Sequence, residues 1–329
     1  MTRPVLKIMK YLRLKTTDPY FNLAVEEFLF RYSEDDIFML WQNRPSVIIG
    51  KNQNAYAEVE LDYTRKKGIS VVRRITGGGA VYHDDGNVNY SFITSRERAD
   101  SLDFAYFAAP VIEALGSLGL TASLSGRNDI LCDDRKISGN AQYSDGKRIL
   151  HHGTLLFNAD LGELTQALKT DIDKLKMRAI KSHKSRVANI SELLNSEMTV
   201  DEFISRLEGT IAPSMECDLP VPSDDCRLAE LYERNRSDEW IYSHKTYLRE
   251  YTVRAKRRFD FGTVAIELSL NGDSVVKASV SGDFFEIRPV SELEKAMIGK
   301  TIPEICELDP SAYVHGMEKD DLAILLQNQ

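Results

Sequence analysis

Residues 71 to 84 read Val71-Val72-Arg73-Arg74-Ile75-Thr76-Gly77-Gly78-Gly79-Ala80-Val81-Tyr82-His83-Asp84. A β-branched run ends in two arginines, breaks into three consecutive glycines, and then turns apolar again. Three glycines let backbone N–H groups approach an anion with no Cβ in the way, and guanidinium groups beside them pair with phosphate or carboxylate. A tight turn with an adjacent surface ion pair would use the same residues, so this segment alone indicates an anion site and nothing narrower. It is neither a GxxxxGK[ST] phosphate loop nor a GxGxxG dinucleotide loop.

Short strand-like runs flank it at Ile37 to Trp41, Ser46 to Ile49, Ile69 to Ile75 and Val88 to Ile93. Upstream, Asp18-Pro19 reads as an N-cap with proline in the first turn, opening a helix through Asn22, Leu23, Ala24, Glu26, Glu27, Phe28 and Leu29. Downstream, Phe104 to Leu118 has helical apolar spacing, and strand-like runs return near Leu120, Ile130 and Ile149. Strands that cluster first and then mix with helices predict a mixed α+β sheet, not a regular βαβ repeat. From Leu161 to about Ser243 the chain is mainly helical and polar, with an irregular stretch from Ala212 to Asp225 holding three prolines. Strand runs at Tyr251 to Phe259, Thr263 to Leu270 and Ser274 to Ser281, with a hairpin turn at Asn271-Gly272, predict a small α/β domain. The expected division is a catalytic domain over 1–245 and an accessory domain over 246–329.

A chain of 329 residues with 43% apolar content can bury a large core. Its formal net charge of -8 argues against generic nucleic-acid binding. The basic run Arg254, Lys256, Arg257 and Arg258 fits either a solvated strand or an acidic partner. Cys132, Cys217, Cys226 and Cys306 show no CxxC spacing, which argues against zinc and disulfide frameworks and for a reducing cytoplasm. No run approaches signal-peptide or membrane-span length, so a soluble protein is expected, and the expectation is of a monomer in the cytoplasm.

Three further stretches carry possible chemistry. Ser125-Gly126-Arg127-Asn128-Asp129-Ile130 precedes Arg135-Lys136-Ile137-Ser138-Gly139-Asn140-Ala141-Gln142, where Lys136 on a strand facing a pocket can hold a carboxylate and a phosphate together. A lone lysine there would ordinarily be an exposed strand residue. His151 and His152 are adjacent on a strand and must point to opposite faces, so they are not a metal pair; His152 fits a substrate contact or a structural bond equally. Lys184-Ser185-Arg186-Val187-Ala188-Asn189-Ile190 reads as a polar loop opening a helix, an anion site or simply a cap.

In the same order and at similar intervals, these stretches resemble the lipoate-protein ligase family. The resemblance is carried by RRITGGGAVYHDDGNVNYSF, SGRNDI, RKISGNAQ, HHGTLLFNADL and SRVANISELL, with NLAVEEFL and PSVIIGKNQN before them, and more weakly by the segment beyond Trp240. It implies a biotin/lipoate-ligase-type catalytic domain with a small C-terminal accessory domain, ATP with Mg2+, and lipoate as substrate. It implies a two-step reaction through lipoyl-AMP to a lysine of lipoyl-domain acceptors, the E2 subunits or the glycine cleavage H protein. Carried over, the ATP contacts fall on Arg74, Gly77, Gly78, Gly79, Ala80, Val81, Tyr82 and Lys136, with Lys136 also catalytic. Lipoate contacts fall on Lys136, His152 and Asn128; Asp129 is the candidate for placing Mg2+ through phosphate oxygens. Leu23, Trp41, Val47, Ile49 and Val81 are candidates for an apolar tunnel. The rivals are an ATP-independent octanoyl or lipoyl transferase, which would need a cysteine upstream where Thr121 to Gly126 has none, a biotin ligase with a different glycine signature, and a non-catalytic lipoate-binding paralogue.

Overall fold

The computed structural model describes residues 9–97, 99, 102–126, 128–169, 187–213, 216–217, 221–242 and 251–327. It resolves into two compact units. The first comprises Met1–Ile48, Glu60–Val72 and Val81–Ser237, and the second Ile49–Val59, Arg73–Ala80 and Asp238–Gln329. The C-terminal unit thus incorporates two short loops from the N-terminal half, one of them the triple-glycine segment.

The strands in chain order are β1 (Lys10–Arg13), β2 (Ile37–Trp41), β3 (Ser46–Ile49), β4 (Ser70–Arg73), β5 (Val81–His83), β6 (Asn87–Ser95), β7 (Ala122–Ser125), β8 (Asp129–Cys132), β9 (Arg135–Ser144), β10 (Arg148–Leu156), β11 (Glu216–Cys217), β12 (Val253–Phe259), β13 (Gly262–Asn271) and β14 (Ser274–Gly282). An eight-stranded sheet has the order β11-β1-β2-β6-β10-β9-β8-β7, and β4-β3-β5 form a small second sheet. β1 pairs in parallel with β2 and β11, and the remaining neighbours of the large sheet are antiparallel. This is the mixed α+β sheet that the sequence predicts. The irregular proline-bearing stretch contains one element that the sequence does not announce, the two-residue β11.

β6 and β10 form the centre of the sheet, paired from Arg148↔Ser95 to Leu156↔Asn87. Period-2 alternation divides their side chains between two faces. Val88, Tyr90 and Phe92 with Leu155 enter the main apolar core, joined by Phe107, Ala108, Val111 and Leu115 of the helix Phe104–Ser117 and by Phe203, Ile204 and Leu207 of the helix Val200–Ile211. The opposite face carries Asn87, Asn89 and Ser91 of β6 beside Thr154 and His152 of β10. The helix Pro19–Tyr32 reaches this face through Glu26. That helix starts as expected: Pro19 occupies its first turn and Asp18 Oδ1 accepts from the Tyr20 amide at 3.0 Å.

In the second unit β12-β13-β14 form an antiparallel sheet. Val264, Ile266, Leu268, Val275 and Val280 pack with Leu293, Met297, Ile305 and Leu322 into a separate core. The expected hairpin is present, with its turn displaced by one residue: Asn271 pairs with Ser274, so the loop is Gly272-Asp273. Gly272 supplies the positive φ, +60°, that such a turn requires of its first central residue.

Gly153 marks a close approach at the sheet centre, since a Cβ there would overlap Asn140 Oδ1 and come within 2.5 Å of the Tyr90 ring. The Gly153→Ala variant is therefore expected to lose about 1–3 kcal/mol of stability. A urea unfolding midpoint equal to wild type would contradict that packing.

Candidate functional site

The β8–β9 hairpin turns through Asp133 and Asp134, both with positive φ (50° and 59°), as a two-residue hairpin loop demands. Its register then slips: Asp129 faces Gly139 and Ile130 faces Ser138, whereas Leu131 faces Lys136. One residue is extra on β9, the mark of a β-bulge. Strict alternation from Gly139 would send Lys136 to the opposite face. The slip instead returns Lys136 to the face of Asp129 and Gly139, and its Nζ lies 2.8 Å from Asp129 Oδ1. A Cβ on Gly139 would stand 3.1 Å from that Nζ, so the glycine makes room for the lysine to lie across the strand. Both charged side chains keep about a third of their surface exposed, 35% and 36%, so this ammonium is open to a ligand. Val187 bridges Lys136 in parallel, and the Ala188 amide donates to the Lys136 carbonyl at 3.0 Å, which pins the start of β9.

The polar face of β6 and β10 supplies a second group. His152 Nδ1 donates to Glu26, 2.9 and 3.0 Å from its two oxygens. Ser91 Oγ donates to the same carboxylate at 2.5 Å and accepts from Trp41 Nε1 at 2.9 Å. Glu26 itself is buried, and of its neighbour Glu27 the cationic partners are Arg31 and Arg234. Asn87 Oδ1 and Asn89 Nδ2 lie buried on this face with no hydrogen-bond partner. The two side chains bond each other through their remaining atoms, Asn87 Nδ2 donating to Asn89 Oδ1 at 2.9 Å. Leu23, Trp41 and Val47 are buried, as tunnel candidates would be and as core residues would also be, and Val81 is half-buried. His151 points to the other face, as adjacent strand residues must, and no cluster of metal-binding side chains occurs among the described residues.

In the second unit, Arg74 wraps the glycine loop. Its Nε donates to Thr76 Oγ1 at 2.9 Å and its Nη2 to the Gly77 and Gly79 carbonyls at 2.7 and 2.8 Å. The glycines serve different needs. A Cβ on Gly77 would strike the Phe284 carbonyl, and Gly78 has φ +88° and donates its amide to that same carbonyl at 3.2 Å. Only Gly79 stands in open space, with a single neighbour 4.0 Å from its Cβ position. Ile49, the remaining tunnel candidate, is buried and accepts from the Arg74 amide at 3.0 Å. Arg73 is a buried pin: it donates to the carbonyls of Gly50, Lys51, Gln53 and Ile241 at 2.6 to 2.9 Å. Burial, with the neighbouring Arg74 charge, pushes its pKa down to about 9. Ala80 follows this loop, and Tyr82 lies on β5 opposite Val47, its phenol raised by burial and then by Asp84.

The structure thus brings Lys136, Asp129 and Asn128 together in the first unit and Arg74 with Gly77, Gly78 and Gly79 in the second. Glu26, Ser91 and the Asn87–Asn89 pair are absent from the sequence-based site. The alternation of Asn87, Asn89 and Ser91 with Val88, Tyr90 and Phe92 was the available signal. The polar loop before Ile190 behaves differently from a cap: Asn189 makes no side-chain cap bond and instead exchanges two hydrogen bonds with Ala159, at 2.9 and 3.0 Å. Lys184, Ser185, Arg186 and Arg127 lie outside the described residues.

Known proteins resemble this chain over most of its length. The Lipoyl protein ligase A/B catalytic domain model matches residues 18–212, and the Bacterial lipoate protein ligase C-terminus model matches 249–326. Lipoate-protein ligase LplJ of Bacillus subtilis (strain 168) is 39% identical over 321 residues, which cover 94% of this chain and 97% of that protein. A P. falciparum LipL1 crystal structure in complex with lipoate shares the fold, with a TM-score of 0.78 at 23% identity over 97% of this chain and 98% of that one. Lipoate-protein ligase A bound with ATP matches with a TM-score of 0.58 at 29% identity, over 71% of this chain and 98% of that one. With both the catalytic and the C-terminal domain of that family recognisable in one polypeptide, the chain belongs to the lipoate-protein ligases.

Proposed function

We propose that this ligase is ATP-dependent and works in two steps, the first of which consumes ATP. A lipoate carboxylate oxygen attacks the α-phosphorus of ATP, forming the mixed anhydride as the α–β P–O bond breaks and pyrophosphate leaves. The amine of an acceptor lysine then attacks the acyl carbon; an amide forms, AMP leaves, and the nitrogen gives its extra proton to solvent. The observation that carries this reading is the placement of Lys136 by the strand irregularity, its ammonium held by Asp129 on a face that stays accessible. A lysine ammonium has three donors, so one can meet Asp129 while others bridge the carboxylate and the phosphoryl oxygens, where charge accumulates. Arg74 and the glycine loop are the proposed nucleotide contacts, and His152 with Glu26 a proposed lipoate contact. Mg2+ enters with the ATP phosphates; Asp129 offers it at most one carboxylate oxygen, which suits an ion carried by its substrate and its waters. Acceptors are proposed to be lipoyl domains of E2 subunits and the glycine cleavage H protein, in the cytoplasm. No helix of the described residues is long and apolar enough to cross a membrane.

The ATP-independent transferase reading needs a reactive thiol. Cys132 is 3% exposed, and burial, followed by the Asp133 charge, pushes its thiol upward, away from the thiolate. β7, the upstream strand, contains no cysteine.

Lipoate-dependent exchange of pyrophosphate into ATP is the direct test. Charge-assisted contacts contribute about 1.5–3 kcal/mol, so Lys136→Ala should slow exchange by at least about tenfold while leaving the urea midpoint close to wild type. No exchange by wild-type protein with any short or medium acid would sink the adenylation reading. Intact-mass analysis of a lipoyl-domain acceptor should show a gain only when ATP is present. Cys132→Ser should keep that gain in full; its loss would revive the transferase. Gly139→Ala, which crowds only the far end of Lys136, should reduce exchange by up to about tenfold without loss of stability.

A further inference from the structure

His151 takes no part in the chemistry above, yet it is fully buried on the core face of β10. Phe107 stacks on its ring at 4.8 Å, Phe104 meets it edge-on at 5.7 Å, and Tyr90 and Phe92 lie at 6.1 and 6.4 Å. Burial, and next the adjacent His152, hold its pKa well below the ordinary imidazole value, so the ring is neutral and carries one N–H.

Two backbone groups whose roles cannot change decide which nitrogen carries it. The Leu102 amide donates to Gln142 Oε1 at 2.6 Å, which leaves the Gln142 Nε2 amide as donor to His151 Nδ1 at 2.9 Å. At the other end the Asn128 carbonyl accepts from Asn140 Nδ2 at 3.0 Å, which leaves Asn140 Oδ1 as acceptor from His151 Nε2 at 3.2 Å. Nδ1 must accept and Nε2 must donate. Asn140 in turn grips the loop before β8: its backbone amide donates to the Asn128 carbonyl at 2.9 Å, and Asn128 Nδ2 returns a bond to the Asn140 carbonyl at 2.5 Å. The next residue is Asp129, the partner of Lys136. The Tyr90 hydroxyl also donates to Asn140 Oδ1, and Gly153 is the glycine whose Cβ would overlap that oxygen.

We propose that Leu102, Gln142, His151, Asn140 and Asn128 form a directed hydrogen-bond relay in which His151 is a positioning residue, its Nε2–H orienting Asn140 so that Asp129 is held against Lys136. The relay rests on the adenylation reading for its kinetic consequence, not for its geometry. A residue that sets the placement of a catalytic group by fractions of an ångström acts on turnover more than on ground-state affinity.

Two measurements test it. Ring 15N spectra of wild-type protein should show His151 as the neutral Nε2–H tautomer; an imidazolium or an Nδ1–H tautomer overturns the relay. His151→Phe keeps the ring stack and removes the donor. Its kcat for pyrophosphate exchange, corrected for folded fraction, should fall about tenfold or more with the KM for ATP within about threefold, and His151→Gln, which restores an amide donor, should recover part of the loss. Wild-type kcat in His151→Phe, a change in KM alone, or no recovery by His151→Gln overturns the positioning role. If wild type shows no exchange at all, the adenylation reading fails, and the ring spectra still decide the relay.

Discussion

The antiparallel pairing of β6 with β10 is the constraint on which the first unit depends. Because side chains alternate, that single register divides each strand between an aromatic core and a polar face. A slip of one residue would bury Asn87, Asn89 and Ser91 among phenylalanines and turn Tyr90 and Phe92 toward the site. The same register sets His152 beside Glu26 and His151 beneath the sheet among rings. Two identical neighbours in sequence thereby acquire unrelated work.

A second constraint is local and opposes the first. Along β9 the regular alternation is interrupted, and the interruption turns Lys136 to the side where Asp129 can reach it. Regular pairing makes the platform, and one irregularity re-aims the lysine on it, as bulges commonly re-aim a side chain. The glycines around it are explained by space: Gly139 yields to the lysine stem and Gly153 to the Asn140–Tyr90 contact. In the second unit Gly77 and Gly78 answer to close backbone approach and positive φ. Arg74 neutralises the turned-in carbonyls of that loop, while Arg73 ties together the backbone of 50–53 and 241.

Much of the fold was legible because its signals are local. The Asp18-Pro19 start, the strands at Ile37–Trp41 and Ser46–Ile49, and the helix from Phe104 each follow from capping or periodicity within a few residues. The segments that escaped are those whose pairing partner is remote: β11 exists because β1 offers it a parallel edge, over two residues too few to carry a pattern. The hairpin of the C-terminal unit was legible in kind but placed one residue early, since either Asn271 or Gly272 can open a turn and only cross-strand register chooses. Among site residues, Lys136 could be named from motif order, and Asp129 only as a candidate for placing Mg2+; their pairing with each other could not. Glu26 could not, because an acidic residue in a helix looks the same from the sequence whether it faces water or a buried histidine.

What the sequence by itself determined is the family, the order of its motifs, the absence of an upstream cysteine and the residue types available for an anion and an acyl chain. These are properties of the covalent chain and of short-range patterns along it. Only the tertiary structure decided which face each of those residues occupies, which of two histidines meets Glu26, and that a register slip carries Lys136 to Asp129. It alone showed that the glycine loop belongs with the C-terminal unit. Such outcomes depend on pairing between segments that meet only in the fold, as in Glu26 with His152, 126 residues apart. No local propensity encodes the strand register or the packing that settles them.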